Sequence, residues 1–172
     1  MKEEFDTIFS DEFTKDVTPA SSVERKINKV IQKMDRGLTY IFDNWATANI
    51  RIDKLPLPAV INVLPVSGSF NVTARKMKDY PNCMLAFIDK TDLDFDGEEN
   101  DVVLERCKNL AMEFILTANE SELFDPIEGD VPYSVIYDKM DVNVTGIVIE
   151  IQLKEKQGIN LCYGKPIKDY FK

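Results

Sequence analysis

The chain contains no histidine. That one absence removes Ser-His-Asp and Cys-His catalysis, histidine-bound metals and histidine pH switching. Cysteine is scarce: Cys83, Cys107 and Cys162 are odd in number, widely spaced and form no C-x-x-C pair, which speaks against a zinc ribbon or a disulfide framework. Cys107 falls in an apolar helical stripe and Cys83 opens an apolar run, so both are expected as buried, reduced thiols. No stretch of about 18 apolar residues occurs, so no membrane span and no membrane partner are expected. Residues 1–13 are acidic and lack a basic start followed by an apolar run, so no signal peptide is expected. The sequons at Asn71, Asn119 and Asn143 therefore carry no meaning. Neither G-x-G-x-x-G nor the P-loop pattern is found.

What is present suits one globular domain. The chain has 172 residues, with 44% hydrophobic and 30% charged, long enough to bury a sizeable core. Twenty-one basic residues face 30 acidic ones, for a net charge of -9. Proteins that wrap or read nucleic acid use a basic patch to release counterions. This balance argues against such binding, but not against DNA passing by without sticking.

Periodicity gives the expected elements. Residues 1–20 form an arm in which Phe5, Ile8, Phe9 and Phe13 recur at helical spacing. Val23, Ile27, Val30, Ile31, Met34, Leu38 and Ile41 make one stripe, predicting a helix over 23–41 with Gly37 inside it; the pattern then fades into a loop after Trp45. Ala59–Leu64 reads as a strand closed by Pro65, Ser67-Gly68-Ser69 as a turn, Phe70–Val72 as a short strand and Tyr80-Pro81-Asn82 as another turn. The continuous run Cys83–Ile88 predicts a strand buried on both faces. A second helix, capped by Asp96 or Asn100, carries the stripe Val103, Leu104, Cys107, Leu110, Ala111, Phe114, Ile115 and Ala118 and stops near Asn119. Tyr133–Tyr137 is a strand. Ile147, Ile149, Ile151 and Leu153 alternate with polar or lesser partners, predicting a half-buried strand, and a phase slip at Thr145-Gly146 predicts a bulge or turn there. The whole is an α+β domain over 21–158, a mostly antiparallel sheet with two main helices packed on it. An N-terminal docking arm (1–20) and a C-terminal tail (159–172) flank it.

One segment invites chemistry. Asp89, Asp92, Asp94, Asp96, Glu98, Glu99 and Asp101 put seven carboxylates into thirteen residues, opposed only by Lys90. Asp92–Gly97 matches the first half of an EF-hand loop, but the position that should supply a bidentate Glu is Val103. A solvated loop running into a helix N-terminus, where the dipole favours acids, is the expected reading. No apolar enclosure splits the acids into a general acid and a general base, and no base stands ready for a cysteine nucleophile. No enzyme activity, cofactor or metal is expected. The arm residues Phe5, Ile8, Phe9 and Phe13 and the tail residues Tyr163, Ile167, Tyr170 and Phe171 are the candidate interface positions.

Three stretches carry a family resemblance. They are the opening helix leading to Asn44-Trp45 and the Pro-flanked strand 57–65, the acidic segment running into 107–115 (CKNLAMEFI), and the closing strand 143–155 (NVTGIVIEIQLKE). Over about residues 21–158 the chain resembles the tail-terminator and neck-ring proteins of tailed bacteriophages. More narrowly, it is similar to head–tail connector proteins of phages of Bacteroides-type hosts, including the crAss-like group. The resemblance implies a structural virion protein assembled in the host cytoplasm. It would form a closed homo-oligomeric ring between the portal side and the tail, with copies of itself and adjacent portal, connector or tail proteins as partners. DNA would pass through without specific binding, and the acidic segment is the candidate lumen or subunit-facing surface. A protein-interaction adaptor, monomeric or dimeric, is the alternative.

Overall fold

The computed structural model describes residues 22–64, 67–92, 96–140 and 143–160. The arm positions Phe5, Ile8, Phe9 and Phe13, the tail positions Tyr163, Ile167, Tyr170 and Phe171, and Asp94 lie outside the described residues.

The first helix, α1 (Val23–Lys33), starts on Ser22, whose hydroxyl accepts from the Arg25 N–H. It ends sooner than its apolar stripe suggests. Asp35 and Gly37 both take positive φ, a conformation no helix can hold. The chain therefore turns and enters a strand, β1 (Thr39–Asp43). Leu38 and Ile41 stay apolar because they pack in the core, not because the helix continues. Asn44 then caps a second short helix, α2 (Trp45–Ile52), by accepting from the Thr47 N–H at 3.0 Å. This segment was expected as a loop. Two of its residues, Ala48 and Ile52, are buried, so it carries little periodic signal.

Strand β2 (Ala59–Val63) runs parallel to β1, making β1–α2–β2 a crossover unit. Strand β3 (Gly68–Thr73) turns at Ala74-Arg75 into β4 (Lys76–Lys90). The turns expected around Gly68 and at Tyr80–Asn82 are therefore strand. Pro81 fits in mid-strand because its carbonyl accepts from the Leu153 N–H at 3.1 Å, just beyond the strand that pairs there. The long helix α3 (Gly97–Glu120) follows, then β5 (Tyr133–Lys139), β6 (Val144–Gln152) and the two-residue β7 (Ile159–Asn160). Among the described residues the sheet order is β1-β2-β4-β6-β5, with β3 and β7 on the outer half of β4; every pairing except β1–β2 is antiparallel. The α+β architecture expected from the sequence is the one observed. The first two residues assigned to the tail, Ile159 and Asn160, belong to the sheet.

Both faces of the central strands are buried. On one face α1 and α3 pack against Val60, Leu85, Phe87, Ile147, Ile149 and Ile151, and the Phe87 and Phe114 rings meet at 5.9 Å. On the other, α2 packs with Ile41, Ile61, Ile88 and Val148. This explains why β2 and the inner half of β4 read as continuous apolar runs. It also makes Val148 buried, so β6 becomes half-buried only beyond Ile149. Strand β6 runs unbroken through Gly146; the irregularity lies in its partner, between Ile136 and Lys139. Gly146 is required there, since a Cβ would sit 2.0 Å from the Phe87 carbonyl oxygen.

Candidate functional site

The acidic segment separates into parts with different duties. Asp89 is the last but one residue of β4 and only 6% exposed. Its carboxylate accepts from the Arg106 guanidinium at 2.5 Å. It is not a solvated loop acid, and it is removed from the candidate lumen surface. Asp96 is the helix cap, accepting from the Glu98 and Glu99 N–H groups, while Glu99 reaches back to the Asp96 N–H. This reciprocal pair satisfies orphan donors at the helix start. Asp92, Glu98 and Asp101 are exposed, with Asp92 only 3.8 Å from Lys90. Among the described residues no group of three metal-ligating side chains is gathered tightly enough to hold an ion.

A second polar cluster is buried where α1, the base of the β3–β4 hairpin and the segment after β6 converge. Lys26 is buried and pairs with Glu155, and it also donates to the Gln157 carbonyl at 3.3 Å. The other Glu155 oxygen accepts from the Asp79 N–H at 2.6 Å. Nearby, the Asn62 amide donates to the Tyr40 hydroxyl at 2.9 Å, and Tyr40 also bonds Glu24. Burial raises Glu24 above the usual carboxylate range, and Tyr40 well above the usual phenol range. Burial, then the Glu155 charge, raises Asp79. Glu24 and Asp79 thus move in the same direction, whereas an acid–base pair needs them split. Cys162 lies outside the described residues; the cysteine expectation holds for Cys83 and Cys107, which are buried and free, and burial pushes each thiol up to about 12. Such thiols are poor nucleophiles. An open depression of roughly 190 Å³ lies beside the start of β5, bordered by Asp125, Glu128, Asp130 and Glu150. Lys154, Ile127 and Ile151 also line it, and it is open rather than an enclosed chamber.

The unusual exposure lies on two strands that sequence reasoning did not single out. Every residue of β3 is exposed, including Phe70 at 69% and Val72 at 66%. Strand β5 exposes Tyr133 at 54% and Tyr137 at 56%, with Val135 also open. On α3 Met112 and Leu116 are also exposed, and the Lys108 ammonium lies 5.8 Å from the Tyr133 ring. Neither β3 (GSFNVT) nor the first five residues of β5 (YSVIY) carries a charge. Free sheet edges in monomers are commonly guarded by Lys, Pro or inward charges. The lack of charge is visible in the sequence, but the exposure is not, because it depends on which elements pack against each strand.

No helix among the described residues is long and apolar enough to cross a membrane. Comparison of the chain with protein-family models, curated proteins and solved structures found no match.

Proposed function

We propose that the chain is a structural virion protein that assembles into a homo-oligomeric ring in the neck of a tailed bacteriophage, joining the portal side to the tail around a channel. The observation that carries the self-assembly part is a pair of strand edges at separate places on one sheet, β3 and the first five residues of β5, which carry no charge and expose Phe70, Val72, Tyr133 and Val135. A patch that meets its own twin makes a closed dimer. Two different patches that meet head to tail make a ring when the rotation closes. The phage setting rests on the resemblance over residues 21–158, with which the α+β fold agrees.

The exposed acids before and at the start of α3, Asp92, Asp96, Glu98, Glu99 and Asp101, are the lumen surface in this reading. Carboxylates facing a channel repel phosphates and let a genome slide, where lysines would hold it. The test is electron microscopy of the purified full chain, with and without its neighbouring connector. Closed rings with an open centre are expected, together with no retention of duplex DNA at physiological salt. Compact dimers, or tight salt-dependent DNA binding, would contradict the reading.

A further inference from the structure

We infer that β3 of one copy pairs antiparallel with β5 of the next copy, so that a single sheet continues from subunit to subunit. This rests on the self-assembly proposed above and names the surfaces that carry it.

The two edges open on opposite sides of the sheet. The Asn82 N–H donates to the Ser67 carbonyl, whereas the Pro81 carbonyl accepts from the Leu153 N–H. Neighbouring residues of a strand point their backbone groups to opposite sides. Strand β3 therefore follows β2 along one side of β4, while β6, and β5 beyond it, lie on the other. A copy cannot bring its own two edges together, so the partner strand comes from another copy.

The groups turned outward match. The Glu150 N–H bonds the Pro132 carbonyl, so by alternation Ser134 and Ile136 turn toward β6, and Tyr133 and Val135 present their backbone N–H and C=O outward. The Asn82–Ser67 bond sets β3 in the same way, leaving Phe70 and Val72 outward. Their side chains also agree in face. Phe70 and Val72 are opposite Asp79 and Met77, which share the parity of Leu85 and Phe87. Tyr133 and Val135 are opposite Ile149 and Ile147, on that same face.

Geometry and charge then select one orientation. Strand β5 runs in the direction of β4 and β3 runs against it. Copies related by rotation alone, with faces and polarity preserved, must therefore join β3 to β5 antiparallel. Independently, the hairpin tip carries exposed Arg75 and Lys76, and the chain entering β5 carries exposed Glu128 and Asp130. Only the antiparallel arrangement brings tip to entry. The register that sets Phe70 opposite Val135 and Val72 opposite Tyr133 brings Arg75 to the level of Asp130. A parallel arrangement would send the basic tip toward the far end of β5.

The experiment is a charge exchange read by native mass and by sedimentation of the full chain. The variant Arg75→Glu/Lys76→Glu, and separately Glu128→Lys/Asp130→Lys, are each expected to weaken self-association on the order of tenfold or more, because like charges then face each other. Mixing the two variants, or combining all four changes in one chain, should restore it. Val135→Pro removes an outward N–H without touching β6 pairing and should also dissociate the assembly while leaving the melting temperature near wild type. If both charge variants associate as tightly as wild type, this interface is overturned and self-assembly proceeds through another surface. If charge reversal weakens association but the exchange fails to restore it, the β3–β5 pairing is overturned as well. If the wild-type chain stays monomeric at every concentration, the self-assembly reading falls and takes this interface with it.

Discussion

Replacing Lys26 by Met should be among the most damaging single changes in this protein, although it removes a charge from the core. The Lys26 and Glu155 side chains are 2% and 8% exposed. Glu155 also holds the Asp79 N–H at 2.6 Å, so it joins α1, the hairpin base and the segment after β6 at one point. Deleting the ammonium leaves a carboxylate in a dry site with one backbone donor, and breaking a buried pair this way costs about 3–5 kcal/mol. An exposed pair would cost about 0.2–1 kcal/mol. For a chain of this size each kcal/mol moves the melting temperature by about 2–4 °C, so a drop of about 6–20 °C is expected. Urea unfolding of wild type, Lys26→Met, Glu155→Gln and the double variant closes a cycle. The double variant should lose less than the two single variants summed, since neither leaves an unpaired charge once both are gone. The loss should also persist at high salt, which screens only exposed pairs. A Lys26→Met protein that loses less than about 1 kcal/mol, or additive single changes, would refute the assignment of this pair as a dry joint.

Four further outcomes are expected. Asp79 is raised above the ordinary Asp range by burial and by Glu155. A raised acid contributes stability that is complete below its unfolded pKa and is lost as pH rises through its folded value. Asp79→Asn should therefore stabilise at neutral pH and be indistinguishable from wild type in acid; chemical unfolding across pH reads this. Cys83 and Cys107, with thiols pushed up to about 12, should resist alkylation at mildly alkaline pH in a Cys162→Ser background until denaturant is added, as mass spectrometry will report. Asp96→Ala removes the side-chain acceptor of the Glu98 and Glu99 N–H groups, one half of the α3 capping box, and should cost about 0.5–2 kcal/mol, while Asp92→Asn should leave stability near wild type. Gly146→Ala drives a methyl into the Phe87 backbone and should cost about 1–3 kcal/mol or more, seen as a lowered urea midpoint.

The sequence was most legible where burial is periodic or complete. The α3 stripe from Val103 to Ala118 rides one face of a long helix over the sheet, and Asp96 announces its start. The inner half of β4 and β2 are covered on both sides, so their residues are mostly apolar, with Asn62 as a buried polar exception in β2. The misreadings have equally local causes. Leu38 and Ile41 extend the α1 stripe by coincidence, since Leu38 packs against the core just before β1 and Ile41 is buried within β1, and the break is carried by the backbone of Asp35 and Gly37. Pro81 looks like a turn because a proline usually leaves the ladder, yet here its missing N–H faces the stretch where β6 has just ended. The Ala74-Arg75 turn lacks the Gly or Asn that marks most tight hairpins. As a result the hairpin, and with it the exposure of Phe70 and Val72, left no local signal. Asp89 reads as a loop acid among other acids; its place in β4, paired with β6, and its Arg106 partner on α3 come from elements distant in sequence.

Native mass spectrometry of the full-length chain over a concentration series tests the central claim most directly. Head-to-tail contacts between two different edges of one sheet predict one discrete closed species larger than a dimer, appearing without a ladder of ever longer intermediates. A protein that stops at a two-copy species, or remains a monomer at the highest concentration, would contradict the account.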